Sequence, residues 1–397
     1  MKDTYLTTGK KEDCCGCTAC KSICAQGAIS MQADEQGFLY PKINREKCVD
    51  CGMCYKVCRF SGRVPEQKEP TVYAVKHRNE EVRMTSSSGG VFSAMAEYVL
   101  NKGGVVYGAA FDECFNVVHM RDERSFEKFK TSKYVQSDLK EVFGEIKADL
   151  EQGRMVLFTG TGCQADGLYA YIPKRLQEKL IVCDIVCHGA PSPKVWREYL
   201  DLLERKNRTK ISYVNFRDKS EYGWHGSALT IKGEDKEILS GGQAENIYFQ
   251  LFFSHMILRP SCFNCKYANT DRAGDISLAD FWGIEDFHAE YDDDKGISLV
   301  MVNSDKGKKL IDEIGKELEM LNSSIIEGAN KKQPNLSNSA KNWGEGTKFW
   351  RSYSSLGFEF ALKMHTRYGD NDMGIKMLRK LLHYSNRAKG VLRRLIR

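Results

Sequence analysis

Residues 13–24 read DCCGCTACKSIC, and residues 48–58 read CVDCGMCYKVC. Each stretch carries four cysteines with the spacing C-x2-C-x2-C-x3-C: Cys14, Cys17, Cys20 and Cys24, then Cys48, Cys51, Cys54 and Cys58. Ferredoxins with two 4Fe–4S clusters use this spacing, and the fourth cysteine of each run binds the other cluster. The repeat therefore predicts an α+β ferredoxin-like dicluster domain at the N-terminus.

The crossed ligation divides the eight cysteines into two sets. One cluster is expected on Cys14, Cys17, Cys20 and Cys58, and the other on Cys48, Cys51, Cys54 and Cys24. Cys15 is out of register with both runs and is expected to be a bystander. The segment buries little apolar surface, so we expect the clusters to hold it together.

The whole chain has 397 residues, which suggests two or three domains. Composition changes divide it into a dicluster domain with linker (1–66), a larger domain (67–330) and a basic, mostly helical extension (331–397). It has fifteen cysteines, an odd number, and begins without an apolar leader. These features favour thiols over disulfides and a cytoplasmic location, and no apolar run is long enough to span a membrane.

The larger domain alternates apolar, β-branched runs with amphipathic ones. Strands are predicted at 71–77, 103–111, 154–160, 179–187, 211–217, 274–279 and 296–303, and helices at 91–100, 138–150, 193–206 and 305–320. This alternation is typical of an α/β domain with a largely buried sheet. No G-x-G-x-x-G motif follows a strand, which disfavours a Rossmann dinucleotide fold.

Two loops have the composition of phosphate-binding loops. Residues 85–90 read TSSSGG before a predicted helix, and residues 160–164 read GTGCQ between a strand and a helix. Small residues and hydroxyls at a helix N-terminus suit an anion. The alternative for each loop is a plain helix cap.

Six cysteines lie outside the ferredoxin-like segment. Cys262 and Cys265 form a C-x2-C pair, and Cys163 and Cys187 each follow a predicted strand. Because strand ends converge at one edge of a parallel sheet, these four could form a third thiolate site. Iron–sulfur and zinc would use the same ligands, and the upstream clusters favour iron. Cys114 and Cys183 are expected to pack as small apolar residues.

Several ordered motifs accompany these cysteines: SSSGG (86–90), SKYVQS (132–137), GTGCQ, CHGAPSP (187–193), FRDK (216–219), CFNCKY (262–267) and DISLADFW (275–282). Together with the dicluster segment they resemble the beta subunit of coenzyme F420 hydrogenases and dehydrogenases, over residues 10–305. The same family includes ferredoxin-dependent flavoenzymes such as 7-hydroxymethyl chlorophyll a reductase.

The resemblance implies FAD in the larger domain beside a third 4Fe–4S cluster. Carried over by motif, the loop Ser86, Ser87, Ser88, Gly89 and Gly90 would face the flavin pyrophosphate. Lys133 and Ser137 would flank the flavin, with Gly160 and Thr161 nearby. The third cluster would be bound by Cys163, Cys187, Cys262 and Cys265. His188, Trp224, Asp280 and Trp282 are further residues near the motifs, for which structural roles are favoured.

The leading hypothesis is an iron–sulfur flavoprotein oxidoreductase that takes electrons from a donor such as ferredoxin and reduces an organic small molecule. The alternative is the electron-transfer subunit of a hydrogenase or dehydrogenase that reduces or oxidises coenzyme F420. Residues 331–397 carry fifteen basic and four acidic residues. Their favoured role is a packed terminal helix; peripheral membrane contact and ferredoxin docking are other uses of this charge. No nucleic-acid motif is present.

Overall fold

The computed structural model describes residues 3–62, 69–242, 245–341 and 344–382. Thirteen strands are found in these residues: β1 (Ile29–Ala33), β2 (Leu39–Ile43), β3 (Thr71–His77), β4 (Val105–Phe111), β5 (Val117–Asp122), β6 (Val156–Thr161), β7 (Leu180–Ile185), β8 (Ile211–Asp218), β9 (Ala228–Gly233), β10 (Glu237–Gly241), β11 (Ile276–Asp280), β12 (Ser298–Val302) and β13 (Leu318–Ser323).

Thirteen α-helices are also bounded within the described residues: α1 (Tyr5–Thr8), α2 (Ala19–Ser22), α3 (Met53–Val57), α4 (Glu80–Met84), α5 (Val91–Asn101), α6 (Val142–Glu151), α7 (Gly162–Tyr171), α8 (Pro193–Asn207), α9 (Ile247–Phe253), α10 (Asp305–Ile314), α11 (Ile325–Gly328), α12 (Glu345–Leu356) and α13 (Phe358–His365). A further helical segment starts at Met373 and reaches the last described residue, Leu382.

The N-terminal segment is built on an antiparallel hairpin. Strands β1 and β2 pair from Ile29 with Ile43 to Ala33 with Leu39, and α2 and α3 each carry one cysteine of a C-x2-C-x2-C run. Gly16 and Gly52, with φ of 77° and 72°, allow the turns within the two runs. The sequence runs AISMQ (28–32) and GFLYPKI (37–43) are typical of two short strands, and β1 and β2 confirm that prediction.

The large domain is a mixed eight-stranded sheet in the order β13-β3-β12-β11-β7-β6-β4-β5. The four central strands β11, β7, β6 and β4 pair with one another in parallel. The flanking strands β12, β3, β13 and β5 each pair antiparallel with their neighbours. All seven strands expected from residue 71 onward exist. The carboxyl ends of the parallel strands share one edge, where ligands bind in open α/β sheets.

Helices cover both faces of this sheet. On one face the apolar sides of α5 and α10 pack on β3, β4 and β12. On the other face α6 and α7 pack on β4, β6 and β7, and Ala19 and Val57 of the N-terminal segment join the same core. The N-terminal segment is therefore an integral layer on α6 and α7.

A second, three-stranded antiparallel sheet has the order β10-β9-β8. Its core is shared with α8, α9, α12 and α13, through residues such as Trp196, Phe216, Tyr248, Phe349 and Leu362. Helix α8 begins with Pro193, and the Ser192 side chain accepts a hydrogen bond from the Val195 N–H at 3.2 Å, which fixes the helix start.

The predicted helix over 305–320 is too long. Helix α10 ends at Ile314, and Leu318 begins β13, which pairs with β3. Four of the strands, namely β5, β9, β10 and β13, were not predicted from the sequence. Leu318 is buried and could continue an amphipathic helical pattern, but its pairing with His77 on the sheet decides its structure.

The described part of the third segment, 331–341 and 344–382, packs on the cores of the two sheets. Leu336 packs with β3 and β12, and Phe349, Trp350 and Leu362 pack with α8. In the sequence, an apolar group at near-helical spacing consists of Ile375, Met377, Leu378, Leu381 and Leu382, continued by residues 391–396. Ile375 is buried and Leu378 is half-buried, whereas Met377, Leu381 and Leu382 are exposed. The rest of that group, Val391, Leu392, Leu395 and Ile396, lies outside the described residues.

None of the described helices combines the length and apolar composition needed to cross a membrane.

The hairpin docks on α8 at a turn that only glycine fits. Gly37 has φ 84°, and a Cβ there would lie 2.4 Å from the Lys194 Cβ. The Ser192 hydroxyl donates to the Gln36 carbonyl at 2.5 Å, which anchors the same turn. The contact therefore orients the N-terminal segment on the large domain.

We expect Gly37→Ala to lower the free energy of unfolding by at least about 1 kcal/mol more than Gly27→Ala. Both replacements impose left-handed strain of about 1–2 kcal/mol, but Gly27 has nothing within 4 Å of its would-be Cβ. Denaturant unfolding of the anaerobically purified full chain measures the difference. Equal destabilisation by the two variants would show that the turn does not determine docking.

Candidate functional site

A cavity of about 910 Å³ opens at the carboxyl-terminal edge of the parallel strands. Its walls come from the ends of β6, β7 and β11, from residues 129–137, from the second sheet and from residues 332–340. Its volume lies within the usual range for small-molecule and cofactor sites. The cavity therefore forms where the parallel topology predicts a ligand site.

The first set of N-terminal cysteines meets beneath helix α7. Burial raises the pKa of the Cys14 thiol to about 11, and the nearby thiolates of Cys17 and Cys58 also raise it. The pKa of Cys20 is raised by burial and by the thiolates of Cys17, Cys14 and Cys58. The structure thus brings together the four cysteines assigned to one cluster.

Helix α7 contacts this first set directly. A Cβ at Gly167 would lie 2.8 Å from both Cβ and Sγ of Cys17. Arg59 occupies the position where ferredoxins commonly have proline, and its guanidinium lies 3.2 Å from Asp166 of the same helix. The first cysteine set is therefore fixed against the large domain.

The second set is the more solvent-exposed of the two N-terminal sets. Burial raises the pKa of Cys54, and the neighbouring thiolates of Cys51 and Cys24 add to the rise. Cys51 is exposed, and Cys48 lies 3.6 Å from the Asp50 carboxylate. The second set is thus nearer to solvent than the first.

The third set comes from three separate parts of the large domain. Cys163 lies in the first turn of α7, Cys187 follows β7, and Cys262 and Cys265 lie in and just after a 3₁₀ turn at Pro260–Asn264. Burial raises the pKa of Cys187, as do the thiolates of Cys262, Cys163 and Cys265. All four line the cavity.

Cys15 has a position that the sequence did not predict. It is buried, and its thiol is hydrogen-bonded to both Cys17 and Cys163. The hydrogen bond to Cys15 lowers the pKa of Cys163 to about 7. Cys15 therefore lies between one cysteine of the first set and one of the third. The expectation that it does not bind a cluster stays a prediction.

Arg259 lies at the same junction and is 1 % exposed. Its guanidinium donates to the carbonyls of Cys14 (2.8 Å) and Leu39 (2.9 Å) and to Gln136 Oε1 (3.0 Å). It also stacks 4.2 Å above the Tyr40 ring. Within the described residues no carboxylate forms an ion pair with it, and its nearest anionic neighbours include the thiolates of Cys14 and Cys262.

Four of the residues assigned to the flavin by motif line the cavity: Lys133, Ser137, Gly160 and Thr161. Ser137 accepts a hydrogen bond from the Gln164 amide at 3.0 Å, and Gln164 in turn caps α7 through the Thr161 N–H. The Lys133 ammonium donates to the Lys128 carbonyl at 2.8 Å. Burial lowers the pKa of Lys133 to about 7.

The SSSGG loop does not line the cavity. The Ser86 hydroxyl donates to the Val82 carbonyl, Ser87 accepts from the Ser132 N–H, and Ser88 donates to the Ile297 carbonyl. A Cβ at Gly89 would lie 2.3 Å from the Val75 carbonyl oxygen, and one at Gly90 would lie 2.9 Å from the His77 Cβ. The glycines therefore serve close packing, and the assignment of this loop to a pyrophosphate remains a prediction.

Other motif residues have structural partners. His188 Nε2 lies 3.0 Å from His255 Nε2, and the Trp224 indole donates to Asp280 Oδ1 at 2.8 Å. Trp224 is buried and stacks on Trp282 at 4.6 Å. Of these residues His188, Asp280 and Trp282 also line the cavity. Cys183 is buried and Cys114 is exposed, so the packing expected for Cys114 is wrong.

The polar residues of the cavity wall that sequence reasoning did not single out include His119, Arg217 and Ser227. His119 Nε2 lies 3.0 Å from the Thr159 carbonyl, which can only accept, so Nε2 carries the proton. Its Nδ1 is buried without a partner in the described residues. Arg217 belongs to the FRDK motif and could have been singled out, whereas Ser227 has no sequence signal.

In the described residues no three His, Cys, Asp or Glu side chains are close enough to bind a single metal ion. The donor chemistry nevertheless fits iron–sulfur clusters. Thiols are the ligands that iron–sulfur clusters use, and a buried guanidinium without a carboxylate partner needs a nearby negative charge. Arg259 is such a buried guanidinium, and it lies beside two of the cysteine sets.

These features define an iron–sulfur electron-transfer protein with a cofactor-sized cavity. Residues 13–61 match the family model described as 4Fe-4S dicluster domain. Residues 153–325 match the family model that describes the C terminus of the beta subunit in coenzyme F420 hydrogenase/dehydrogenase. The family resemblance noted in the sequence is thereby confirmed.

Among solved structures, one similar chain comes from the F420-reducing NiFe hydrogenase complex of Methanosarcina barkeri, described in a study of its xenon derivatization. The two chains share 15% identity, with a TM-score of 0.45, over 71% of this chain and 100% of that chain. No curated protein sequence gives a significant match.

We expect Gly167→Ala to reduce bound iron by about four atoms per chain, because the new methyl group would displace Cys17 from the first cluster. Gly144→Ala is the matched control, since Gly144 lies in α6 and has nothing within 4 Å of its would-be Cβ. Iron analysis and EPR of the anaerobically purified variants measure the outcome. Full iron content in Gly167→Ala would contradict the placement of Cys17.

Proposed function

We propose that this protein is the iron–sulfur flavoprotein subunit of a hydrogenase or dehydrogenase, and that it passes electrons between its N-terminal clusters and coenzyme F420. The observation that carries the proposal is the serial arrangement of the three cysteine sets. The second set lies near solvent, and the first set lies against α7. Cys15 lies between the first set and the third set, and the third set borders the cavity. Electrons would enter or leave through the exposed side.

The flavin is assigned to the cavity on chemical grounds. Iron–sulfur clusters transfer one electron at a time, whereas a deazaflavin accepts a hydride, which carries two electrons. FAD would exchange single electrons with the clusters and a hydride with the deazaflavin. Lys133, Ser137, Gly160 and Thr161 line a cavity of suitable volume. The buried, unpaired Nδ1 of His119 adds an acceptor to that wall.

The third cysteine set is assigned to a third 4Fe–4S cluster. Its four thiols come from separate elements and converge on the cavity wall. Arg259 would stabilise the reduced, more negative state of the neighbouring clusters, because its charge is buried beside Cys14 and Cys262. Phe60 and Tyr267 pack around Cys15 and exclude water from this junction.

Lys133 is assigned the role of proton carrier at the cavity. Because burial lowers its pKa to about 7, the side chain can hold and release a proton near neutrality. His119 stays neutral, since burial lowers its pKa to about 4. The charged ammonium of Lys133 is therefore a proton donor in this wall below pH 7.

The family assignment supports coenzyme F420 over the ferredoxin-dependent reduction of another organic molecule. It also supports a hydrogenase or dehydrogenase subunit as the protein partner, with ferredoxin as a second candidate donor. The two functions are separated by mixing the chemically reduced protein with coenzyme F420 and following the absorbance of the coenzyme. Oxidation of the protein without bleaching of F420 would reject the proposed acceptor.

Anaerobic analysis of the full chain is expected to give about twelve irons and one FAD. Cys187→Ser and Cys262→Ser should each lower the iron content to about eight, because the third cluster loses a ligand. Cys114→Ser, at an exposed cysteine outside the cavity, should leave it unchanged. If the unaltered protein contains only eight irons, with or without zinc in place of the other four, the third cluster is rejected.

F420 reduction by the unaltered protein is expected to slow above pH 7, as Lys133 loses its proton. Lys133→Met should be slower by about 100-fold below pH 7, the usual contribution of a general acid, and should lack this transition. Lys128→Met is the control, because its ammonium pairs with Asp122 and does not line the cavity. Stopped-flow rates between pH 5.5 and 9 measure the effect, and an unaltered profile in Lys133→Met would exclude the role.

A further inference from the structure

Arg217 is an unusual residue of the cavity wall. Its side chain is 10% exposed, and two of its nitrogens, Nε and Nη2, have no hydrogen-bond acceptor among the described residues. A buried donor left without an acceptor destabilises the fold, and more so when it is charged. The guanidinium therefore has two N–H groups to offer to a ligand.

The surroundings of Arg217 fix its orientation. Asp280 Oδ1 lies 3.3 Å from Nη2, outside hydrogen-bond geometry, and already accepts the Trp224 indole N–H at 2.8 Å. The guanidinium lies 5.1 Å from the centre of the Trp282 ring, which itself stacks on Trp224. Asp280 and Trp282 thus hold the guanidinium in place without using its free N–H groups.

A second unpaired group lies in the same wall. Ser227, just before β9, has a buried hydroxyl without a partner in the described part of the chain. Arg217 comes from β8, so two separate elements contribute unpaired polar groups to one cavity. A planar guanidinium and a hydroxyl match the oxygens of a phosphate, which can accept several hydrogen bonds.

The position of this pair separates it from the cysteines. Along the edge of the sheet, Cys163 follows β6, Cys187 follows β7, and Asp280 ends β11 on the far side. Arg217 is held at the β11 end by Asp280. A ligand that spans the cavity would therefore place its reactive ring toward the cysteines and a charged group toward Arg217.

We infer that Arg217 and Ser227 form a phosphate-binding subsite at the β11 end of the cavity. The inference rests on the proposed function for the identity of the ligand. The shared chemistry is a phosphate oxyanion, supplied either by the pyrophosphate of the resident flavin or by the phosphate of the diffusible deazaflavin. The hydroxyls of Ser86 and Ser88 already donate to protein carbonyls, and the SSSGG loop does not line the cavity, which favours Arg217 and Ser227 for this role.

The test uses the anaerobic full chain with intact clusters, stripped of flavin, and compares riboflavin, FMN and FAD by fluorescence titration. If the flavin supplies the phosphate, Arg217→Met lowers the affinity for FAD by about 10- to 100-fold, the loss of charge-assisted hydrogen bonds, and leaves riboflavin unchanged. Ser227→Ala should give a smaller loss in the same direction. Lys332→Met is the matched control, because it removes a cavity charge that Glu285 and Asp286 already pair.

If the deazaflavin supplies the phosphate, FAD binding is unchanged in Arg217→Met and the KM for coenzyme F420 rises by at least 10-fold. Unchanged values for both ligands, with iron content and melting temperature preserved, overturn the subsite. If the unaltered protein binds neither riboflavin nor FAD, the proposed function fails, and pyrophosphate becomes the probe. Thermal stabilisation by pyrophosphate that Arg217→Met abolishes then supports the subsite, and its absence overturns it.

Discussion

The buried guanidinium of Arg259 ties the N-terminal segment to the rest of the molecule. It reaches the carbonyls of Cys14 and Leu39 on one side and Gln136 on the other. The backbone N–H of Arg259 donates to the Ala190 carbonyl at 2.9 Å. A fixed positive charge in this position is costly unless negative charge is close by. Iron–sulfur clusters on both sides would provide that charge, so folding and cofactor assembly depend on the same side chain.

This arrangement explains why the N-terminal segment is docked rather than loosely attached. An electron carrier on a free tether would need to find its acceptor for each electron, whereas a docked one keeps a constant separation. Gly37 against α8, Gly167 against Cys17 and the Arg59–Asp166 pair each hold part of the interface. Cys15 fills the remaining space between the two cysteine sets, with Phe60 and Tyr267 around it.

The sequence predicted those parts of the fold where a local pattern is strong. The buried parallel strands are continuous apolar runs, and the cysteine spacing indicated which residues would meet. Strand β5 was missed because its second half is only partly buried, and β13 because Leu318 suits a helix equally well until β3 pairs with it. In the site, Lys133, Ser137 and Arg217 lie in recognisable motifs, although Arg217 was not singled out. His119 and Ser227 reach the cavity wall through tertiary structure that no local pattern encodes.

Residues 332–340 form part of the cavity wall although they lie close to the C-terminal end of the sequence. During synthesis the N-terminal cysteines and most of the sheet leave the ribosome well before this segment does. The cavity consequently lacks this part of its wall until residues 332–340 have been made. Metal insertion at the N-terminal cysteines can therefore precede formation of the finished cavity.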